Sequence, residues 1–315
     1  MNLLQKLFSL FGLALIGLLI SPQTLAQDGE PFRTRTFDVS SPAEFSAETS
    51  GSAVKVTGTQ GGQIVVRMYA KYRNQDEYMS AAEVDENLGD YTLKLEHSGN
   101  EVDLVFKRKN SNGWNWGDQK MNVYFEVEVP FQTETTFKTS GGSISLEGVS
   151  GDHDISTSGG SVSISKGEGD ITARSSGGSF RLSDFSGDIE VKTSGGSVSM
   201  DKLEGEIEVY TSGGSVKLKD ISGSIGAYTS GGSISADLVE ISDDLEFKSS
   251  GGSITVSIPS TAGLDLDIRG GRVGFDMINF NGTVEKDRVN GEMNGGGYSL
   301  VMQSSGGRVK LEYTE

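Results

Sequence analysis

The stretch that decides the fold consists of two adjacent segments, SGGSFRLSDFSGDIEVKT at residues 176–193 and SGGSVSMDKLEGEIEVYT at residues 194–211. Both are 18 residues long, begin with the same Ser-Gly-Gly triplet and place similar residues at matching positions. A repeat of this period, with strand-like residues between glycine turns, is typical of a solenoid in which each repeat forms one coil stacked on its neighbours.

The triplet recurs through the second half of the chain. It begins 18 residues apart at six serines, returns after a gap of 20 residues and occurs once more near the end, at Ser140, Ser158, Ser176, Ser194, Ser212, Ser230, Ser250 and Ser305. We number the positions of each repeat from this serine as position 0, so that an 18-residue repeat ends at position 17. In the 20-residue repeat, the late positions are counted back from Ser250.

Apolar residues occupy positions 4, 6, 13 and 15 of almost every repeat, as Val198, Met200, Ile207 and Val209 do in one of them. Alternation with period two predicts two short strands per repeat, each with one face inward. A further apolar residue at position 9, such as Val239, adds to the predicted core. This spacing disfavours a left-handed hexapeptide helix, and parallel crossovers are nearly always right-handed. We therefore predict an all-β, right-handed parallel β-solenoid with two-strand coils of about 18 residues.

Glycine marks two corners in each predicted coil. One is the Ser-Gly-Gly triplet and the other is position 11, occupied by Gly151, Gly169, Gly187, Gly205 and Gly223. Because glycine is favoured where the backbone has a positive φ, we expect positive φ at both corners. Replacing Gly195 with valine is accordingly expected to destabilise the fold strongly.

The remaining positions are expected to point outward. Hydroxyl residues fill positions 3 and 17, and Arg174, Lys192 and Lys248 lie at position 16. Position 12 is mostly acidic, with Asp152, Asp170, Asp188 and Glu206 in successive coils. Neighbouring coils place these carboxylates ~4.8 Å apart, close enough for two of them to share a Ca²⁺ ion. A calcium site at these four residues is one hypothesis, and neutralisation by the nearby cations is the alternative. No other cofactor is expected.

Residues 1–26 are predicted to be a secretory signal peptide, with Lys6 before an apolar stretch and a small-residue ending at Ala26. An uncleaved membrane anchor is the alternative, and no other stretch is apolar enough to span a bilayer. Removal of Lys6 changes the formal charge of the chain from −17 to −18. A charge of this size disfavours nucleic acid and anionic membranes as partners and favours divalent cations or basic partners. The signal peptide predicts export to the periplasm or the cell surface.

Residues 27–130 lack the regular repeat and are predicted to form an irregular N-terminal β region or cap, followed by solenoid repeats over residues 131–315. Strands are expected within this region, including one over residues 122–129. A short helix is predicted over Asp76–Leu88, with Asp76 as its N-cap and Gly89 as its stop.

The repeated Ser-Gly-Gly-Ser-Val/Ile motif, preceded by Val127-Glu128-Val129-Pro130, resembles the bacterial family of β-strand-repeat, toast-rack domains that carry an adhesin label without an established function. The similarity covers most of residues 35–315, including the ending from Val289 to Gly307. It implies a fold of stacked β coils and exported or envelope-associated members. It implies no catalytic residues.

Two further features are candidate sites. His153 lies between Asp152 and Asp154, but adjacent strand residues point to opposite faces, so neither carboxylate orients its imidazole, and a buried histidine at the edge of the first coil is expected. Trp114 and Trp116 follow a Lys-Arg-Lys sequence in a polar, glycine-containing hairpin tip, where exposed rings could bind a sugar or a partner. The alternative is that both rings pack on the N-terminal region.

These observations favour an exported, non-catalytic protein of the bacterial envelope, acting as an adhesin or a binding scaffold toward a surface protein or glycan. The first alternative is a carbohydrate-active β-helix enzyme, although short turns do not build the loop-lined groove that such enzymes use. The second alternative is a calcium-binding surface repeat protein. The oligomeric state does not follow from the sequence.

Overall fold

The computed structural model of the protein describes residues 29–73, 75–109, 120–276 and 278–314. Pro31–Glu315 form one compact unit. The predicted signal peptide at residues 1–26 lies outside the described residues, and so do Trp114 and Trp116.

The described residues are almost entirely β-structure, with a single α-helix. In chain order the elements are β1 (Arg33–Asp38), β2 (Ala43–Thr49), β3 (Val54–Thr59), β4 (Gln63–Tyr72), α1 (Ala81–Asn87), a 3₁₀ turn (Leu88–Asp90), β5 (Tyr91–Ser98), β6 (Glu101–Arg108), β7 (Met121–Pro130), β8 (Thr133–Thr139), β9 (Ile144–Glu147), β10 (His153–Thr157), β11 (Val162–Glu168), β12 (Ile171–Ser175), β13 (Phe180–Ser186), β14 (Ile189–Thr193), β15 (Val198–Thr211), β16 (Val216–Thr229), β17 (Ile234–Ser249), β18 (Ile254–Pro259), β19 (Leu264–Arg269), β20 (Arg272–Phe275), β21 (Phe280–Val284), β22 (Arg288–Met293), β23 (Tyr298–Ser304) and β24 (Arg308–Thr314).

Successive repeats pair in parallel and in an 18-residue register. Val198 of β15 lies opposite Phe180 of β13 on one side and Val216 of β16 on the other. Ile207, later in β15, lies between Ile189 and Ile225 in the same way. The all-β, solenoid-like fold predicted from the repeat is confirmed. The right-handed sense of the coils stays a prediction.

The core is formed by the inward positions, as the alternation predicts. Val198, Met200, Ile207 and Val209 are all buried, and their counterparts in the other repeats form one continuous hydrophobic cluster with them. The 20-residue repeat departs from this pattern. Val239 is 60% exposed, and Leu238, which is 0% exposed and pairs with Ile221, takes its place in the core. The prediction for Val239 was wrong because the strand pairing shifts register at this point.

The two glycine corners require glycine for different reasons. At position 11 the φ angle is positive in all five coils that have glycine there, from 122° at Gly169 to 140° at Gly205. At the Ser-Gly-Gly corner, neither Gly195 nor Gly196 has φ in the left-handed region. A Cβ on Gly196 would instead lie 1.9 Å from the carbonyl oxygen of Gly178 in the preceding coil. A Cβ on Gly195 would have its nearest neighbour at 3.7 Å. The expected positive φ at this corner was therefore wrong, and neither φ nor crowding supports a strong destabilisation by valine at Gly195.

A third corner was not predicted. Position 8 has a left-handed backbone in five consecutive coils, with φ of 69° at Gly148 and of 52–59° at the non-glycine residues Lys166, Asp184, Lys202 and Asp220. Such φ values are uncommon for residues with a Cβ, and aspartate tolerates them better than most.

The order of the chain is interrupted at both ends of the stack. β2 pairs in parallel with β8 and with β6, and β3 pairs with β9 and with β7. At the other end, β23 lies between β17 and β19, and β24 lies between β18 and β20. The described outermost strands β1, β5 and β21 pair antiparallel with their neighbours.

The helix is shorter than predicted and begins at a different residue. α1 spans Ala81–Asn87, and Ser80 is its N-cap, in a capping box with Glu83. Asp76 instead forms an ion pair of 2.6 Å with Lys71. The predicted N-cap was therefore wrong, because Ser80 with a glutamate three residues later satisfies two backbone groups at once.

Candidate functional site

A groove of about 1020 Å³ runs along the Ser-Gly-Gly corners, crossing the stacked coils. Positions 16, 17 and 0 of successive coils line it. We call it the corner groove, and its lining residues are Ser156, Thr157, Ser158, Arg174, Ser175, Ser176, Lys192, Thr193, Ser194, Tyr210, Thr211, Ser212, Tyr228, Thr229, Ser230, Lys248, Ser249, Ser250, Arg269, Gln303, Ser304 and Ser305.

Buried hydroxyl groups at position 17 form hydrogen bonds with the backbone of the Ser-Gly-Gly corner. Thr211 Oγ1 accepts the backbone N–H of Gly214, at the start of the next coil, at 3.1 Å and donates to the carbonyl of Gly196, in its own coil, at 3.1 Å. Thr229 forms the same pair of bonds with Gly232 and Gly214. Position 17 was expected to point outward, and this was wrong because it has the same parity as positions 13 and 15 and therefore faces the core.

This arrangement leaves the outer surface of the corner free for other residues. The serines of position 0 that line the corner groove are exposed. The position-16 side chains lie in one row along successive strands, in the order Arg174, Lys192, Tyr210, Tyr228, Lys248, Gln303 and Arg269. In a chain with 44 acidic residues, the groove lining contains, among the residues that the structure describes, four cations and neither aspartate nor glutamate.

Two stacked tyrosines form the middle of this row. The rings of Tyr210 and Tyr228 are 4.7 Å apart and inclined by only 7°. The Lys192 ammonium lies 5.2 Å from the centre of the Tyr210 ring. Because Lys192 and Tyr228 lie on the coils either side of Tyr210, both faces of that ring are covered. The groove therefore presents ring edges and cations at this point, with no open aromatic face on Tyr210.

Carboxylates at position 14, two residues before each position-16 residue, bind the side chains of the row. Glu190 forms ion pairs with both Lys192 and Arg174, the latter at 3.5 Å. The hydroxyl of Tyr210 donates to Glu208, and this hydrogen bond, with burial, raises the pKa of Tyr210 to about 12. Burial and a hydrogen bond to Glu246 raise the pKa of Tyr228. Both phenols are therefore protonated donors at neutral pH.

The opposite end of the same strands carries the acidic row that the sequence indicated. Asp152, Asp170, Asp188 and Glu206 are exposed in successive coils. The backbone N–H of Asp170 donates to Asp152 Oδ1 at 3.4 Å, and that of Asp188 donates to Asp170 Oδ1 at 3.3 Å. Across the part of the chain that the structure describes, no group of three or more His, Asp or Glu side chains is placed to hold a metal ion. Calcium binding by these four residues stays a prediction.

His153 is buried, with only 2% of its surface exposed. Its ring nitrogens contact the Thr135 hydroxyl at 2.9 Å and the Val149 carbonyl at 3.3 Å. Burial lowers the pKa of His153 to about 4, so the imidazole is neutral at physiological pH. This side chain occupies a core position that isoleucine fills in the following coils, and it is not in the groove lining.

Sequence reasoning did not find the corner groove, and the structure does not test the tryptophan site, because Trp114 and Trp116 lie outside the described residues. The position-16 cations were visible in the sequence, but they were interpreted only as groups that neutralise the acidic row. The signal that could have identified the groove is the combination of Arg, Lys and Tyr at one position of successive repeats with exposed serines two residues later.

The chain matches the model of the Toastrack DUF4097 family over residues 44–312. It belongs to this family. The resemblance inferred from the repeat motif is thereby confirmed. Among curated proteins, the comparison finds no match. The helix of the described residues is too short for a membrane crossing.

Solved structures with low sequence identity are similar to this chain. One from Bacteroides fragilis, described as a "putative adhesin", is 13% identical, with 90% of this chain and 96% of that chain covered and a TM-score of 0.36. A "putative adhesin" from Parabacteroides distasonis is 11% identical, with 90% and 96% covered and a TM-score of 0.41. A "putative lipid binding protein" from the same organism is 16% identical, with 90% and 97% covered and a TM-score of 0.42.

Proposed function

We propose that this chain is an exported, non-catalytic binding protein of the bacterial envelope, with an adhesin-type role, and that the corner groove is its ligand site. The observation that carries the proposal is the composition of the groove lining, which collects four cations, two tyrosines and a ladder of serines in a strongly acidic chain. The proposed platform is a right-handed parallel solenoid, which would hold these groups at regular spacing. Export rests on the predicted signal peptide at residues 1–26.

The chemistry of the groove supports binding rather than catalysis. Acid–base catalysis uses groups that exchange protons near the operating pH. The described lining offers lysine, arginine, tyrosine, glutamine and hydroxyl side chains, and the tyrosines bind carboxylates through hydroxyl groups that stay protonated at neutral pH. Hydroxyl groups both donate and accept hydrogen bonds, which suits recognition of sugar hydroxyls along an extended ligand.

Filling the groove tests this proposal. Ser194 and Ser212 lie at position 0 on its rim, and tryptophan at both positions would occupy the groove without replacing any buried side chain. The matched control is tryptophan at Ser163 and Ser199, which are exposed at position 5 on the other strand of the coil. Binding of the mature protein and both variants would be measured on glycan panels, peptidoglycan and whole cells.

We expect the Ser194→Trp/Ser212→Trp variant to lose binding, and the control variant to retain it. Analysis of the bound glycans for cleavage products would separate binding from the enzymatic alternative. Binding that is equal in all three proteins would place the ligand site elsewhere, with Trp114 and Trp116 as the next candidates.

A further inference from the structure

The shape and charge of the corner groove constrain the class of ligand. The groove crosses eight strands, from that of Ser156 to that of Arg269. At ~4.8 Å per strand, its length is about 34 Å, far longer than a single sugar ring. The ligand that fills it must be a linear chain lying across the coils. Repeated serines along one rim provide equivalent contacts at each step of such a chain.

The charges within the groove are unevenly distributed. Arg174 and Lys192 lie on adjacent coils and share the single carboxylate of Glu190. At the other end, Lys248 has its own partner in Glu246, and Arg269 forms two hydrogen bonds to Asp267, at 2.9 and 2.8 Å. Within these ion pairs, Arg174 and Lys192 are two cations with one carboxylate partner, and the next carboxylate of the position-14 row, Glu208, accepts the hydroxyl of Tyr210. A negative group of the ligand is best placed there.

The aromatic residues argue against a nucleic acid strand. Proteins that bind single strands stack bases on open aromatic faces. Here Tyr228 and the Lys192 ammonium cover the two faces of Tyr210. Sugar rings that lie along the groove need only hydroxyl contacts and ionic contacts, and both are available.

Resting on the proposed function, we propose that the corner groove binds a linear polysaccharide bearing carboxylate groups. One carboxylate binds between Arg174 and Lys192, where it competes with Glu190. The sugar hydroxyls bind the serine ladder of position 0. The two cations keep free N–H donors in this arrangement, because exposed ion pairs are weak and a lysine or arginine can serve two carboxylates at once.

The test uses polygalacturonate as the probe, in the presence of a chelator so that calcium cannot bridge the polymer to the acidic row. Fully methyl-esterified polygalacturonate has the same backbone without the charge, and a thymidine oligonucleotide is a polyanion without sugar acids. We expect the mature protein to bind the acidic polymer about tenfold or more tightly than the ester, as expected for loss of a charged hydrogen bond.

Three variants are expected to weaken, leave unchanged and tighten binding of the acidic polymer. Arg174→Gln/Lys192→Gln should weaken binding of the acid polymer about tenfold, whereas Arg181→Gln/Lys217→Gln, which removes two exposed charges from position 5, should not. Glu190→Gln should tighten binding, because it removes the competing carboxylate. A purely structural role of Glu190 would not produce tighter binding.

Each outcome decides the proposal. Equal binding of the acid and ester polymers, abolished by the groove-filling tryptophans, would overturn the acidic ligand and retain the proposed function. Absence of binding to polygalacturonate, or equal binding of the oligonucleotide, would also overturn it. Binding that the groove-filling tryptophans leave intact would overturn the proposed function as well.

Discussion

Each strand of positions 13–17 lies between two corners of the coil. Side chains accept hydrogen bonds from backbone N–H groups at both corners, but the two corners use different kinds of side chain. At the Ser-Gly-Gly corner, a buried hydroxyl such as that of Thr211 accepts the backbone N–H of Gly214, only three residues ahead. At the acidic corner, an exposed carboxylate such as that of Asp152 accepts a backbone N–H of the next coil. Where buried neutral groups satisfy the backbone, the outer surface is left free to form a groove. Where exposed charged groups do so, the surface is already occupied.

The two corners also require glycine for different reasons. Any side chain at Gly196 would overlap the backbone of Gly178. Gly187 combines a φ of 135° with an equally close approach to the backbone of Gly169. One corner is therefore defined mainly by packing between coils, and the other by backbone conformation and packing together.

The largest effect is expected at the packed corner. Gly196→Val should destabilise the fold by about 4 kcal/mol or more, or prevent folding, because its Cβ would overlap the carbonyl of Gly178. Gly195→Ala, whose Cβ has its nearest neighbour at 3.7 Å, is the control and should change the stability by less than about 1 kcal/mol. Thermal and denaturant unfolding measure both. Similar losses in the two variants would refute the packing argument.

The acidic corner should make stability depend on pH through His153. The ordinary pKa of 6.5 falls to about 4 in the folded chain, so the unfolded chain binds the extra proton between these values. Stability is thus fully present above pH 6.5 and is lost as the pH falls toward 4, by about 3 kcal/mol from this residue. His153→Ile should remove this loss, as seen by comparing unfolding of both proteins from pH 7 to pH 4. A parallel pH dependence in the two proteins would count against it.

A smaller loss is expected from the buried hydroxyls. Thr211→Val keeps the shape of the side chain but leaves the N–H of Gly214 and the carbonyl of Gly196 without their partner. We expect a loss of about 2 kcal/mol in the free energy of unfolding. Thr255→Val, at a half-exposed position in β18, is the matched control and should be nearly neutral. If Thr211→Val is equally neutral, water or another group must satisfy the corner.

The smallest effect is expected on the acidic row. Asp170→Asn/Asp188→Asn keeps an oxygen that can accept the neighbouring N–H groups and relieves repulsion between stacked carboxylates. We expect a change within about 1 kcal/mol, in the stabilising direction, without added metal. The calcium hypothesis requires a higher melting temperature of the natural chain in Ca²⁺ than in Mg²⁺, and loss of that difference in the variant. Identical melting of the natural chain in calcium and in chelator would exclude it.

The repeat predicted the inner face of the coils well, because side chains such as Val198 and Ile207 alternate strictly and identical coils bury identical positions. The same alternation, continued by two residues, would have placed Thr211 inside. The left-handed backbone at Lys166 and Lys202 had no signal in the sequence, since lysine does not favour it. The corner groove forms where the corners of successive coils stack on one another. A residue pattern along the chain does not show whether such a row of corners encloses a groove.

The interrupted chain order has a consequence for how this protein is made. The strand Leu264–Arg269 leaves the ribosome before β23, the strand on which it packs in parallel. About 45 more residues must be synthesised before Thr314 emerges, which takes roughly 2–9 seconds at ordinary translation rates. During that interval the growing stack ends at Pro259 with an open edge. Because an exposed strand edge can pair with another chain, we expect completion of the last strands to protect the nascent chain from aggregation.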